Sequence, residues 1–288
     1  MATAERELAA LGAGLDALER PTVPRPSMVR RMAITVGAPL LGIASLIGIW
    51  QLAYSLHVKP DYLLPAPADV ARTLADLWSG GHVTEAVWTS LRRGATGYAA
   101  ALVIGTAIGV ALSRVRTLRL VYGPLLSSLQ SLPSIAWVPF AILWFGLTDN
   151  TIYFVVILGA FPSIANGLLA GVDQIPPLLL RVGQAMGARG VARYRHVILP
   201  AALPGYLAGL KQAWSFSWRS LMAAELIAAG PALGLGLGQL LHNGQDVADM
   251  RQVLVAIGLI LGVGIAVDML VFAPLDRAVR RRRGLVVQ

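Results

Sequence analysis

Residues 181–204, RVGQAMGARGVARYRHVILPAALP, are the one long polar interval between two apolar runs that reads as a built element and not a mere connection. An apolar segment ends near Gly171 and another begins after Pro200, so this interval lies at a membrane face beside water or a partner. It is basic, with Arg181, Arg189, Arg193 and Arg195. Gly187 and Gly190 divide it into two short helices joined by a turn, glycine supplying the freedom or close approach that a Cβ forbids. Pro200 falls where a new helix starts, a position at which its missing N–H costs nothing.

Working outward, the composition sets the class. The 288 residues are 56% hydrophobic and 14% charged, too apolar for a soluble domain of this size, and the apolar runs are long enough to cross a bilayer. The expected fold is therefore an all-α integral membrane protein. A net charge of +9 would fit nucleic acid only if the arginines shared one face; they are instead distributed between hydrophobic runs, as membrane topology requires. No cysteine is present, so neither a disulfide framework nor a thiolate metal site can form. Met1 to Arg20 lacks a basic stretch followed by an apolar run, so no signal peptide is expected there.

Six transmembrane helices are expected, near Met32–Leu56, Ala95–Leu112, Leu120–Phe145, Thr151–Gly171, Ala201–Ala228 and Val253–Ala273. Pro124, Pro133 and Pro139 predict a bent or broken third span. Arg25, Arg30 and Arg31 precede the first span, and Arg114, Arg116 and Arg119 separate the second from the third. The central loop and the terminal Arg277 and Arg280–Arg283 complete a basic set that predicts cytoplasmic N- and C-termini. Gly146–Asn150 and Ala229–Met250 carry no Lys or Arg and belong outside. The loop His57–Arg93 opposes the rule with Lys59, Arg72, Arg92 and Arg93, but its length weakens the rule there. Within it, Pro67, Val70, Leu74 and Leu77 predict a short helix outside the membrane or at its interface.

The chain accordingly divides into an N-terminal extension over residues 1–31, a transmembrane domain over 32–276 and a basic tail over 277–288. In the extension, Leu8, Leu11, Leu15 and Leu18 fall at helical spacing before Pro21, Pro24 and Pro26. Two readings stay open there, a disordered tail and a small helix that docks on a cytoplasmic partner.

The fifth span carries the most informative polar residues. Lys211, Ser215, Trp218, Met222 and Glu225 fall on one helical face, with Trp214 and Arg219 at its margins. Ionisable groups at such depth face a bundle interior or an aqueous cavity, because lipid exposure is costly. Lys211, Ser215, Trp218, Arg219, Met222 and Glu225 are therefore the candidate path residues, and Lys211 would favour small anions. The competing reading pairs these charges with other elements, Asp268 being a candidate partner for Lys211.

Two features exclude an enzyme that burns its own fuel. A phosphate loop ends in Gly-Lys-Ser/Thr, yet the only lysines are Lys59, in Val-Lys-Pro, and Lys211, in Leu-Lys-Gln. The four histidines, His57, His82, His196 and His242, are scattered between opposite membrane faces, so no metal site is expected. Neither a catalytic residue nor a cofactor-binding one is assigned.

The central loop resembles a known family. Gly187, followed by nine residues and then Val197-Ile198-Leu199-Pro200, is similar to the cytoplasmic loop signature of binding-protein-dependent ABC importer permeases. The resemblance extends to Tyr62-Leu63-Leu64-Pro65-Ala66-Pro67, Ser90-Leu91-Arg92-Arg93, Ser131-Leu132-Pro133-Ser134-Ile135-Ala136-Trp137-Val138-Pro139, Ile142-Leu143-Trp144-Phe145-Gly146 and Phe161-Pro162, as in the nitrate, sulfonate and taurine branch. It covers roughly residues 35–275. One departure stands at the front of the loop, where the family's Glu-Ala-Ala reads Arg181-Val182-Gly183.

The resemblance implies a type I ABC importer permease of the bacterial inner membrane. Two copies of the chain would enclose a path for a small anionic solute such as a sulfonate, taurine or nitrate. Two separate ATPase subunits would supply ATP and Mg chemistry, and an extracytoplasmic binding protein would deliver solute. It also implies that the ATPase docks on Gln184, Ala185, Met186, Gly187, Ala188, Arg189, Gly190, Arg193, Tyr194, Leu199 and Pro200. The run Gly230–Gly238 serves either as an outer gate or binding-protein contact, or as a flexible re-entrant turn. The rival class is an ion-gradient-driven transporter or channel, which would need intramembrane carboxylates or broken half-helices at repeated positions.

Overall fold

The computed structural model describes residues 37–230 and 233–282, so the expectations for the N-terminal extension lie outside the described residues. The chain forms two units, divided at Val58. In the first, helix α1 (Ala38–Ser55) is apolar on every side. His57 closes it in the left-handed conformation, with His57 N–H donating to Tyr54 and Val58 N–H to Ala53, which satisfies carbonyls of the last turn.

In the second unit, helix α2 (Pro67–Ser79) forms where the Pro67, Val70, Leu74 and Leu77 pattern expected a short helix. Helix α3 (His82–Arg114) follows, then α4 (Arg116–Ser131), a 3₁₀ turn over Ser134–Trp137, α5 (Val138–Phe145) and α6 (Asp149–Asp173). The loop region contains α7 (Pro177–Ala185), α8 (Gly190–Arg193) and a π turn over Tyr194–Ile198 leading into α9 (Leu199–Ile227). Helix α10 (Leu237–Asp246) precedes α11 (Met250–Val267), a second π turn over Asp268–Phe272, and α12 (Ala273–Arg282).

Helical segments occupy all six expected intervals. Helices His82–Arg114, Asp149–Asp173 and Met250–Val279 are each long and apolar enough to cross a membrane, and α4 with the segment Ser134–Phe145 is so together, bent by 96° as a broken span or a re-entrant loop. Helix α9 has 29 residues, about 44 Å at 1.5 Å per residue, so its length suffices although its polar residues lower its hydropathy. The break in the third span falls at Leu132-Pro133, whereas Pro124 sits inside α4.

One boundary differs substantially. The second span begins at His82, not Ala95, so Ser90, Arg92 and Arg93 belong to a 33-residue helix and not to a loop. The reason is burial: Ser90 and Arg93, three residues apart, share one helix face, and both are fully enclosed with their polar atoms paired.

The core is the sandwich of α3, α6 and α9, and small residues hold it close. On α3, Gly97, Ala101, Gly105 and Gly109 recur every fourth residue and face α6: a Cβ on Gly105 would stand 2.7 Å from the Phe161 carbonyl. On α6, Gly167 and Gly171 meet Gly209 and Gly205 of α9; a Cβ on Gly167 would lie 2.4 Å from the Gly209 Cα. Such stripes let backbones approach in a membrane, where dispersion and not hydrophobicity drives helix association. Tyr98 ties the layers by donating to the Leu210 carbonyl at 2.9 Å, beside the ring cluster of Trp214, Trp218 and Phe272.

Candidate coupling loop and translocation face

The loop is two helices around a glycine turn. Helix α7 ends in a Schellman closure: Gly187 takes φ +83°, its N–H donates to Gln184, and Ala188 N–H donates to Gly183 at 2.9 Å. A second left-handed glycine, Gly190 at φ +53°, opens α8. Gly183, where the resemblance expects an alanine, is buried with Val197 against it; a Cβ would lie 2.9 Å from a Val197 methyl. The departure thus trades a side chain for close packing of α7 on the root of α9.

Beyond this clasp the loop displays apolar side chains. Met186 is 82% exposed and Val191 71%, with Gln184, Ala185, Arg189 and Gly190 exposed around them and Ala188 half-buried. Arg193 and Tyr194 turn inward: the Tyr194 hydroxyl donates to the Ser113 carbonyl at 3.0 Å, and the Arg114 guanidinium lies 4.5 Å above its ring. Leu199 and Pro200 are exposed at the start of α9, while Ile198 is buried with Ile175 and Ala202. The loop is therefore joined to the end of α3 on one side and is continuous with α9 on the other. Beside it, Arg119 and Asp173 form a two-pronged ion pair that links α4 to α6, with Arg119 Nη1 to Asp173 Oδ1 at 2.7 Å.

The six candidate path residues separate into two groups. Lys211, Ser215 and Arg219 are exposed on α9 and Met222 is half-buried. Lys211 pairs with Asp268 at 3.0 Å, the partner that the sequence offered, and the π turn beginning at Asp268 carries that carboxylate. Trp218 lines the same open pocket as Lys211, Ser215, Arg219 and Asp268, whereas Glu225 points away from it. Trp218 is 8% exposed and donates to the Ile260 carbonyl, and Glu225 is fully buried, so in this conformation Glu225 does not stand at an open wall. A 100° step per residue places side chains around an axis, but the closeness of α6 and α10 decides which of them water reaches.

Glu225 instead anchors a polar cluster that the sequence reading missed. Its Oε1 accepts from Arg93 Nη1 at 3.1 Å, and its Oε2 accepts from Ser90 Oγ at 2.7 Å and from Gly238 N–H at 3.0 Å. Arg93 also donates through Nε to Asp149 Oδ1 at 2.9 Å and through Nη2 to the Leu233 carbonyl. Leu237 N–H donates to Ser90 Oγ. The glycine-rich run is thereby pinned at Leu233, Leu237 and Gly238, and only glycine fits: Cβ atoms on Gly236 and Gly238 would lie 2.7 and 2.4 Å from Glu225. The available signal was Ser90 and Arg93 at a spacing of three with a carboxylate buried in another span.

The described residues form an all-helical bundle, apolar enough to span a membrane, with a sharp bend after α4 and a basic loop hinged on two glycines. The chain belongs to the family of binding-protein-dependent transport system inner membrane components, whose model matches residues 101–281. It is 30% identical over 210 residues to the taurine transport system permease protein TauC of Escherichia coli, covering 71% of this chain and 75% of that protein. It is 28% identical to the bicarbonate transport system permease protein CmpB of Synechococcus elongatus, covering 86% and 92%. Among solved structures, an inward-facing form of the MetNI methionine ABC transporter matches with a TM-score of 0.59 and 22% identity, covering 68% of this chain and 95% of that one. The protein is a permease subunit of an ABC importer, with a type I permease fold, in the nitrate, sulfonate and taurine branch.

Proposed function

We propose that two copies of this chain enclose a path for a small oxyanion, and that a separate pair of ATPase subunits drives it through the loop 181–200. The observation that carries the reading is mechanical. An apolar tip, Met186 and Val191, projects from a helix pair whose root is continuous with α9 and clasped by Gly183 on Val197. A force on that tip turns α9, which bears Lys211, Ser215 and Arg219. A two-state bundle so moved opens alternately to the two sides. Exposed charges on α9 belong against a water-filled path between copies, since lipid would penalise them. ATP and Mg belong to the ATPase, both termini to the cytoplasm, and solute arrives on a binding protein. A short organic sulfonate, as for the relative that carries taurine, or an anion such as nitrate or bicarbonate fits a basic path.

The test is Gly187→Trp in the assembled transporter in proteoliposomes. A tryptophan at φ +83° breaks the closure of α7 and misplaces the tip. Solute-stimulated ATP hydrolysis and uptake should both fall at least about tenfold while the permease stays folded; unchanged uptake would overturn the reading.

A further inference from the structure

A cavity of about 290 Å³ opens where the third span breaks, between the break itself, α6 and α9. Its lining has one charged side chain, Arg219, and no carboxylate. Arg219 is held by its stem: Nε–H donates to the Ser215 carbonyl at 3.2 Å, and the guanidinium carbon sits 4.7 Å over the Phe216 ring. Among the described residues its Nη groups meet no acceptor and no carboxylate within ion-pair distance, whereas Lys211 has Asp268 and Arg93 has Glu225 and Asp149. An uncompensated cation lies about 30 Å along α9 from Leu199. A charge so placed needs an anion or water beside it.

Two further donors converge on the same space. Gln130 Oε1 accepts from Asn166 Nδ2 at 2.9 Å, which fixes the amide and leaves Gln130 Nε2 as a donor. The Ser134 hydroxyl, on the 3₁₀ turn, has no partner among the described residues. The other two hydroxyls, of Ser131 and Ser220, already donate to the carbonyls of Ser128 and Phe216. Trp137, Leu158 and Phe216 supply the apolar part of the lining, the Phe216 ring lying beneath the Arg219 guanidinium. Gly159 permits the back of the cavity: a Cβ there would stand 2.1 Å from Ser220 Oγ.

We propose that this cavity is a transit site for a small monoanion with a short apolar tail, the oxyanion on Arg219 with Gln130 Nε2 and Ser134 Oγ, and the tail against Trp137 and Phe216. The proposal rests on the reading that this chain carries solute, and adds where the solute pauses and what recognises it. Donors with no carboxylate beside them select anions over neutral solutes, because a carboxylate in the lining would repel the same group. The volume, about ten water-sized units, accommodates a headgroup and a tail of a few carbons.

The experiment uses the assembled permease and ATPase in nanodiscs without the binding protein. Labelled ethanesulfonate is titrated by equilibrium dialysis, with dimethyl sulfone as the neutral comparison. Saturable ethanesulfonate binding without sulfone binding is expected. Arg219→Gln should weaken it at least about tenfold, the scale of a lost charge-assisted hydrogen bond, and Arg219→Lys should restore part of it. Ser134→Tyr, which fills the cavity from an open turn, should abolish binding, and it serves if Arg219→Gln fails to assemble. Binding unaffected by Arg219→Gln or by Ser134→Tyr, equal binding of the sulfone, or no binding by the wild type would overturn the site. None of those results touches the coupling reading, which stands or falls on Gly187→Trp.

Discussion

Arg93→Met isolates the buried ion pair. Arg93 and Glu225 are 1% and 0% exposed, so the substitution removes a charge from a place where water cannot replace it. Glu225 would keep only Ser90 Oγ and Gly238 N–H, and Asp149 would keep solvent. Breaking such a pair from one side costs about 3–5 kcal/mol, because the remaining carboxylate is buried and uncompensated. Against a total stability on the order of 5–15 kcal/mol this is a large fraction. The same argument predicts an asymmetry. Asp149 is 38% exposed, so Asp149→Asn should cost no more than about 1 kcal/mol although its oxygen lies closer to Arg93. The double variant Arg93→Met with Glu225→Met removes both charges and should recover most of the loss, with a coupling energy above about 2 kcal/mol. Thermal unfolding in one detergent measures all five proteins, the wild type, Arg93→Met, Glu225→Met, their double variant and Asp149→Asn. A single Arg93→Met within about 1 kcal/mol of wild type, or a double variant as unstable as the sum of the singles, would refute the reasoning.

Two further outcomes follow from the packing and from a capped helix. Gly209→Val places side-chain atoms where the Gly167 Cα already lies, forcing α6 and α9 apart, and should lower stability by at least about 2 kcal/mol in the same unfolding assay. Asp249 caps α11, accepting from Arg251 N–H at 3.0 Å and pairing with the Arg251 side chain. Partial burial pushes its carboxyl up, but the bonds from Arg251 outweigh this and hold it below the ordinary carboxylate value. With the folded value depressed, the cap stabilises above the unfolded pKa and is lost as pH falls through the folded one. Asp249→Ala should therefore cost about 1 kcal/mol at pH 7 and progressively less at acidic pH, read from unfolding midpoints across the range.

What the sequence made legible was whatever depends on local pattern. Apolar runs, arginine placement and the prolines of the third span locate the helices, because burial in lipid and backbone geometry act within a window of a few turns. Gly187 and Gly190 announced the loop turn for the same reason, and both take positive φ. Ser90 and Arg93 were misread as loop because the carboxylate that permits their burial is more than a hundred residues away, and no local window contains it. Glu225 was placed on an open face because helical periodicity knows the azimuth of a side chain but not the neighbour covering it. The cavity beside Arg219 needs three separate helices to meet at the break in the chain, so only tertiary packing reveals it.

The wide turns over Tyr194–Ile198 and Asp268–Phe272 each hold a surplus residue compared with an α-helical turn. Side-chain azimuth therefore loses phase across each of them by about 100°. A stripe counted from Met250 and continued past Asp268 in uniform steps lands on the wrong flank of Ala273–Arg282. A chain shorter by one residue within Asp268–Phe272 would close the wide turn into regular α-helix and leave Ala273–Arg282 on the same bearing, because the surplus residue is what the turn absorbs.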